Sequence, residues 1–167
     1  TIQREDTYTN FWDFNFYEGK MVSVTPVVKV RLHWYNADLF REAGLDLPPA
    51  DWANPSWTWE TALEAAKKIT KKEGNRTTVY GYSLSHELTA AANWIDNNIP
   101  GRNDMYSEDG REFLAATPPG YNAMQWIVDL TTVHGVQPQW GINKDGNVSF
   151  NLFLTGQQGM TYSGSWQ

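Results

Sequence analysis

The chain has 167 residues, of which 41% are apolar and 19% charged, a balance typical of a globular protein and not of a disordered one. Its net charge of −6 at pH 7 argues against nucleic-acid binding, because phosphate recognition needs a surplus of Lys and Arg. It has no cysteine, which excludes disulfides and thiolate metal sites.

The aromatic content is unusual, with nine Trp, eight Tyr and seven Phe. Trp joins a flat apolar face to one polar N–H, so it suits both a core and a surface on which a sugar ring stacks. Composition therefore leaves a Trp-rich core and a sugar site open together.

The first element with a clear period is a strand. Residues 1–19 have none and are expected to form a surface segment, whereas a strand-like pattern starts at Met21. Apolar and polar side chains then alternate with a period of two, so one face of the strand meets a core and the other meets water or a cleft. The apolar set is Val28, Val30, Leu32 and Trp34, and the polar set is Lys29, Arg31, His33 and Tyr35.

Two helices follow this strand. Residues 36–43 predict a short helix that ends at Gly44. A longer helix is predicted over about 59–73, with Ser56 or Thr58 as its N-cap and a Glu64–Lys68 pair on its surface. Its expected buried stripe is Ala62, Leu63, Ala66 and Ile69.

The remaining elements mix strands and helices. We expect a strand at 77–84, helices at 86–95, 119–134 and 149–154, and a strand at 159–163. The helix at 119–134 has a helical stripe formed by Ala123, Trp126, Ile127, Leu130 and Val133. This order predicts an α/β fold.

Five segments carry a resemblance to a known family, namely residues 19–21, 35–45, 57–60, 126–135 and 153–166. The second reads YNADLFREAGL and the last reads FLTGQQGMTYSGSW. In this order they resemble the family 1 extracellular solute-binding proteins of bacterial ABC sugar importers, of which maltose-binding protein is a familiar member.

The resemblance implies a type II periplasmic-binding-protein-like fold, in which two α/β lobes joined by hinge strands hold the ligand between them. Residues 1–20 are then expected to be the tail of the first lobe and the approach to the hinge. Residues 21–167 are expected to be an incomplete second lobe, which makes the chain a fragment. It departs from the family pattern at Thr25–Pro26, and at Asn97–Asn98 where many relatives have a Gly pair.

The implied function is that of a carbohydrate-binding component that delivers a mono- or oligosaccharide to a permease. It implies an extracytoplasmic protein, periplasmic or lipid-anchored at the cell surface. Its partners would be the sugar, the membrane permease and the missing first lobe, with no nucleic acid, no cofactor and no metal.

Aromatic residues are the first candidates for ligand contact. By the resemblance, Trp166 is the expected stacking plate, since the family has a cleft-lining Trp at the matching place. Tyr35 ends the polar strand face, and contact with the ligand and ordinary core packing both stay open for it. Trp57 and Trp59 are expected to fasten the helix start to the core, with a position lining the cleft as the alternative.

Polar candidates come from two places. Asn97 and Asn98 follow the helix predicted at 86–95, and each amide offers a donor and an acceptor to sugar hydroxyls, although a turn-forming Asn pair is an equal alternative. Ser83, Ser85 and His86 follow a strand, where parallel-sheet proteins place their ligands.

Lys29 and Arg31 raise a question of ligand charge. Two cations on the polar strand face would recognise a carboxylate-bearing sugar such as a uronate through charge-assisted hydrogen bonds. Solvated surface charges are the ordinary alternative.

Catalytic motifs are missing from the sequence, which has no nucleophile elbow, Walker loop or Rossmann fingerprint. Glu87 paired with Glu108 or Asp109 would suit a glycosidase, although Glu108 and Asp109 fall in a polar stretch typical of a solvated turn. We therefore expect no enzyme. A carbohydrate-active enzyme or its sugar-binding domain is the alternative, and a scaffold without small-molecule affinity is the third hypothesis.

Overall fold

A computed structural model describes residues 12–24, 30–51, 54–84, 106–107, 109–139 and 148–165. The chain divides into two compact units, Thr1–Arg31 with Gly164–Gln167, and Leu32–Ser163. The helix predicted at 86–95 lies outside the described residues.

The smaller unit contains a hairpin of two short antiparallel strands, β1 (Phe16–Tyr17) and β2 (Lys20–Met21). Its turn has positive φ at Glu18 and Gly19, a conformation that Gly adopts without strain. A 3₁₀ turn, Asp13–Asn15, precedes it, and the buried Asn15 carbonyl accepts from the Val22 amide at 2.8 Å. The segment predicted as aperiodic surface thus contains local structure.

The larger unit is built on a four-stranded sheet with helices between the strands. Its elements are β3 (Arg31–Tyr35), α1 (Ala37–Glu42), α2 (Trp59–Ile69), β4 (Lys71–Glu73), β5 (Arg76–Ser83), α3 (Pro118–Thr132), α4 (Val148–Leu154) and β6 (Gln158–Gly164). The strand order is β3-β6-β5-β4. β5 and β6 are parallel, with Tyr82 opposite Met160, and β4 is antiparallel to β5. The predicted α/β class is confirmed.

The core of this unit joins the helices to the sheet. Its buried side chains come from α1, α2, α3, β5, β6 and the segments after β5 and α3, and they include Phe40, Ile69, Tyr82, Leu84, Ile127, Leu130, Val136 and Met160. Burial of each large apolar side chain stabilises the folded state by about 1.5–3 kcal/mol, before the loss of conformational entropy is subtracted.

α1 matches its prediction closely. The Asn36 side chain caps it by accepting from the amides of Asp38 at 3.0 Å and Leu39 at 3.2 Å. Gly44 follows the helix with φ +66°, as a left-handed cap requires.

α2 begins as predicted and ends earlier. Thr58 caps it in a reciprocal box with Thr61, but the helix stops at Ile69 and not at residue 73. The next three residues pair with β5 as strand β4, and the Thr70 hydroxyl both donates to the Ala66 carbonyl and accepts from the Gly81 amide. Pairing with a neighbouring strand outweighs the helical pattern here, since it satisfies more backbone groups.

Two side-chain predictions on the helices are wrong. Glu64 pairs with Lys67, three residues on, at 2.8 Å, and not with Lys68. Val133 is 68% exposed because α3 ends at Thr132, so the position no longer follows the helical stripe. Val136 is buried in its place.

The C-terminal half of α2 approaches the sheet very closely at two glycines. A Cβ atom on Gly81 would overlap the backbone of Ala66, and one on Gly159 would lie 2.7 Å from Cγ2 of Ile69. These two glycines therefore let the C-terminal half of α2 lie directly on β5 and β6.

Candidate functional site

A pocket of about 320 Å³ opens at the N-terminal end of α2. We call it the aromatic pocket and define it by its lining residues, His33, Trp57, Thr58, Trp59, Ala62 and Tyr82. They come from β3, from the segment leading into α2, from the first turns of α2 and from the carboxyl end of β5. The carboxyl edge of parallel strands is where α/β proteins commonly bind ligands.

Aromatic contacts hold the wall of the pocket in place. Trp59 meets the ring of His33 edge-on at 5.7 Å between centroids and packs edge-on against Trp126 at 5.2 Å. Trp57 lies 6.2 Å from the buried Phe40 ring. Both tryptophans are half-buried, so each is anchored on one side and accessible on the other.

Polar chemistry enters the pocket through His33. Its Nδ1 lies 2.8 Å from the hydroxyl of Tyr82, which is buried. His33 is exposed to solvent on one side, and the rings of Trp59, Tyr82 and Tyr162 pack against the imidazole on the other. This burial among rings lowers the pKa of His33 to about 4, so the imidazole is neutral at pH 7.

Electrostatically the aromatic pocket is neutral, because none of its six lining residues carries a charge at pH 7. Burial also raises the pKa of Tyr82, so its hydroxyl keeps its proton. The Thr58 hydroxyl accepts from the Thr61 amide at the helix cap. The site can offer flat apolar faces and neutral hydrogen-bonding groups, a combination suited to uncharged polar ligands.

A second, larger hollow of about 650 Å³ lies elsewhere in the same unit and has a different character. Its lining is mostly polar and includes Lys72, Arg76, Thr131 and Gln157, with Tyr80 as its one aromatic residue. It lacks the paired aromatic faces of the aromatic pocket, so we take the smaller cavity as the candidate site.

The candidates predicted from the sequence fall into three groups. Tyr35 is 41% exposed and packs edge-on against Phe40, and neither it nor the exposed Arg31 lines the aromatic pocket. Ser83 is buried, with its hydroxyl 2.6 Å from that of Ser149. The third group, which lies outside the described residues, is Lys29, Ser85, His86, Asn97, Asn98 and Trp166.

For Trp57 and Trp59 the structure combines the two roles that the sequence leaves open, packing at the helix start and lining a cleft. Trp57 contacts Phe40 and Trp59 contacts Trp126, and both also line the aromatic pocket. The alternating pattern predicts that His33 lies on the polar face of its strand, and it predicts no binding role for it. The detectable sign was a lone His in an alternating strand of an aromatic-rich chain, which is too common to decide a site.

Two other kinds of feature are not found among the described residues. In that part of the chain, no group of three or more His, Asp or Glu side chains lies close enough to hold a metal ion. No helix there is long and apolar enough to cross a membrane.

The sequence of the chain matches, over residues 6–167, the family model described as bacterial extracellular solute-binding protein. The chain belongs to this family. The comparison with curated proteins found no match to this chain.

Solved structures agree with the family. An ABC substrate-binding protein from Listeria monocytogenes in complex with cycloalternan is 25% identical, with a TM-score of 0.80 over 99% of this chain and 39% of its own. A solute-binding protein from Thermotoga lettingae bound with α-D-tagatose is 24% identical and has a TM-score of 0.73. The match covers 95% of this chain and 39% of that protein. A solute-binding protein from Agrobacterium vitis with bound D-mannitol is 28% identical and has a TM-score of 0.61. The match covers 82% of this chain and 31% of that protein.

The chain spans about 39% of the length of the first two of these structures. They are two-lobed periplasmic binding proteins, so the predicted fold, part of a two-lobed periplasmic-binding-protein-like structure, is confirmed.

Proposed function

We propose that this chain is part of the carbohydrate-binding component of a bacterial ABC importer, and that the aromatic pocket holds one unit of the sugar. The observation that carries the proposal is a neutral cavity with two accessible tryptophan faces and a neutral imidazole beside them. Two similar proteins, 25% and 28% identical, contain a cyclic oligosaccharide and a sugar alcohol, both rich in hydroxyls.

The chemistry of a pyranose ring fits such a cavity. Its C–H face stacks on an aromatic ring, which adds about 0.5–1.5 kcal/mol beyond the burial of area, and each net hydrogen bond adds about 1 kcal/mol. Micromolar affinity corresponds to about −8 kcal/mol, so one or two stacking faces and several polar contacts suffice. A volume of about 320 Å³ is at the small end of ligand pockets, which run from about 300 to 1,000 Å³, and suits a single sugar unit.

The importer role extends the proposal beyond the cavity. The boundaries between the two units fall within β3, after Arg31, and within β6, after Ser163. The compact unit Leu32–Ser163 lies inside the range 21–167 that we assign to an incomplete second lobe, and we propose that β3 and β6, which cross its boundaries, are the hinge strands. On this proposal sugar favours a closed form, and the closed form docks on the permease outside the cytoplasm.

Calorimetry against a panel of neutral sugars tests the proposal. The measurements use the intact protein encoded by the gene and this chain by itself. We expect micromolar binding by the intact protein and much weaker binding by the chain, because closure of two lobes supplies part of the contacts. Micromolar affinity of the chain alone would contradict the two-lobe part of the proposal.

A matched pair of variants tests whether the sugar binds in the aromatic pocket. Trp57→Ala removes an accessible face of the aromatic pocket, whereas Tyr35→Ala removes an exposed aromatic ring that does not line it. We expect Trp57→Ala to weaken sugar binding about tenfold and Tyr35→Ala to leave it nearly unchanged. The reverse order would move the site to the outer end of β3.

A measurement of glycoside turnover distinguishes an enzyme from a binding protein. Of the carboxylates proposed for the enzyme, Glu87 and Glu108 lie outside the described residues, and Asp109 is exposed and accepts from the Ser107 hydroxyl at 2.6 Å. Hydrolysis of a glycoside by the purified protein, abolished by Glu87→Gln, would favour the enzyme over the binding protein.

A further inference from the structure

His33 and Tyr82 form a polar pair inside an otherwise aromatic site. The Tyr82 hydroxyl is buried, and in the described part of the chain the one hydrogen-bond partner found for it is Nδ1 of His33, at 2.8 Å. A buried hydroxyl proton without an acceptor costs about 1–3 kcal/mol. The favoured arrangement therefore has Tyr82 donating and Nδ1 accepting.

This arrangement decides the tautomer of the imidazole. A neutral imidazole with an unprotonated Nδ1 carries its proton on Nε2. Nε2 lies on another edge of the ring from Nδ1, and no hydrogen bond reaches it from the residues that the structure describes. His33 lines the aromatic pocket, and Nε2–H is its one ring donor without a hydrogen-bond partner among the described residues.

The surroundings of His33 keep it neutral. The elements packed against the ring contribute Tyr82 from β5, Tyr162 from β6 and Trp59 from α2. None of the three is charged at pH 7, and the lowered pKa of His33 keeps the imidazole itself unprotonated above about pH 5. A carboxylate or phosphate entering this pocket would lose its hydration without meeting a cation.

We infer that Tyr82 holds His33 in its Nε2–H form, and that this N–H donates to a hydroxyl or ring oxygen of an uncharged sugar and so selects neutral over anionic ligands. The inference rests on the proposed sugar-binding function. It assigns His33 to ligand contact and Tyr82 to positioning, and it opposes the uronate expected from Lys29 and Arg31.

Binding by variants of the intact protein tests the donor. His33→Gln places an amide N–H near the position of Nε2, whereas the shorter His33→Asn places one near Nδ1. We expect His33→Gln to bind a neutral sugar within about twofold of the wild type and His33→Asn to bind about fivefold to tenfold more weakly, the loss of about one hydrogen bond. The uronic acid that matches the best neutral sugar should bind the wild type at least tenfold more weakly than that sugar.

Nitrogen NMR of the imidazole tests the positioning role, because its two ¹⁵N shifts report the tautomer directly. We expect the Nε2–H form in the wild type and a mixture in Tyr82→Phe, with sugar affinity reduced about fivefold. The signal is assigned by its loss in His33→Gln, and thermal unfolding identifies any variant that fails to fold. Should Tyr82→Phe fail to fold, the wild-type tautomer and the His33 pair decide the matter.

The outcomes separate this inference from the proposed function. Neutral sugar binding that is unchanged in His33→Asn, tighter uronate binding, or an Nδ1–H tautomer would overturn the inference and leave the sugar-binding function standing. Absence of any sugar binding by the wild-type protein would overturn both.

Discussion

The two ends of α2 differ in how closely they meet the rest of the larger unit. At the C-terminal end, Ala66 and Ile69 lie against Gly81 and Gly159 with no room for a Cβ atom. At the N-terminal end, Trp59 faces a cavity of about 320 Å³. One helix thus anchors the fold at one end and opens a site at the other.

The difference follows from side-chain size. Gly and Ala let a helix approach a sheet closely, whereas large aromatic rings at the other end hold the surfaces apart and leave space between them. Close packing at one end fixes the position of the rings at the other, and fixed rings lose little entropy when a ligand stacks on them. Substitutions at the two ends should therefore affect different measurements.

The largest effect on stability is expected at the closed end. Gly81→Ala places a methyl group on the Ala66 backbone, so we expect the free energy of unfolding to fall by about 3 kcal/mol or more, measured by urea denaturation. Gly74→Ala is the control, because Gly74 has φ +59° and open space around it, and it should cost only about 1–2 kcal/mol of backbone strain. Equal losses would show that the close approach is not what makes Gly81 necessary.

Trp59→Ala at the open end should affect both properties. Trp59 is half-buried against Trp126, so we expect a loss of about 2 kcal/mol in stability, less than for a fully buried Trp. Sugar affinity of the intact protein should fall about tenfold, measured by calorimetry. Full affinity in a folded Trp59→Ala protein would remove the aromatic pocket from consideration as the site.

A smaller effect is expected from the helix cap between these two ends. Thr58→Ala removes the acceptor for the Thr61 amide and should lower the free energy of unfolding by about 1 kcal/mol. Thr58→Ser keeps the hydroxyl and should retain most of the stability in the same denaturant titration. If both variants lose the same amount, the methyl group of Thr58 matters and its hydroxyl does not.

The last effect concerns pH, and it is reduced because the His33 side chain is exposed to water on one side. The pKa of His33 is about 4 in the folded protein and about 6.5 in an unfolded chain, so the unfolded state takes up the proton first as pH falls. Its contribution is complete above about pH 6.5 and is lost as pH drops towards 4. Unfolding measured from pH 7 to 4.5 should show this loss in the wild type and a shallower slope in His33→Gln; parallel slopes would argue against it.

Much of the local structure could be predicted from particular residues. Asn36, Gly44 and Thr58 mark helix ends through hydrogen bonds and backbone angles that involve only near neighbours, and all three act as expected. The end of α2 could not be predicted from the helical pattern. Residues 71–73 form strand β4, which pairs with residues 76–79 of β5 and so becomes part of the sheet.

The candidate site was harder to predict than the fold. Tyr35 and His33 share the polar face of one strand, and nothing in the spacing distinguishes them. In the folded chain the Tyr35 ring packs against Phe40, whereas His33 forms a hydrogen bond with Tyr82, which is 49 residues away in the chain. Trp57 and Trp59 combine packing with an exposed face, a double role that burial alone reveals.

The sequence by itself determined the fold class, the family and most helix and strand positions, because periodicity, caps and family motifs are local patterns. Only the tertiary structure decided that a histidine, two tryptophans and a buried tyrosine enclose one cavity. The physical reason is that a pocket is the space left between elements that are distant in sequence, and its shape depends on how closely Gly81 and Gly159 let α2 approach the sheet.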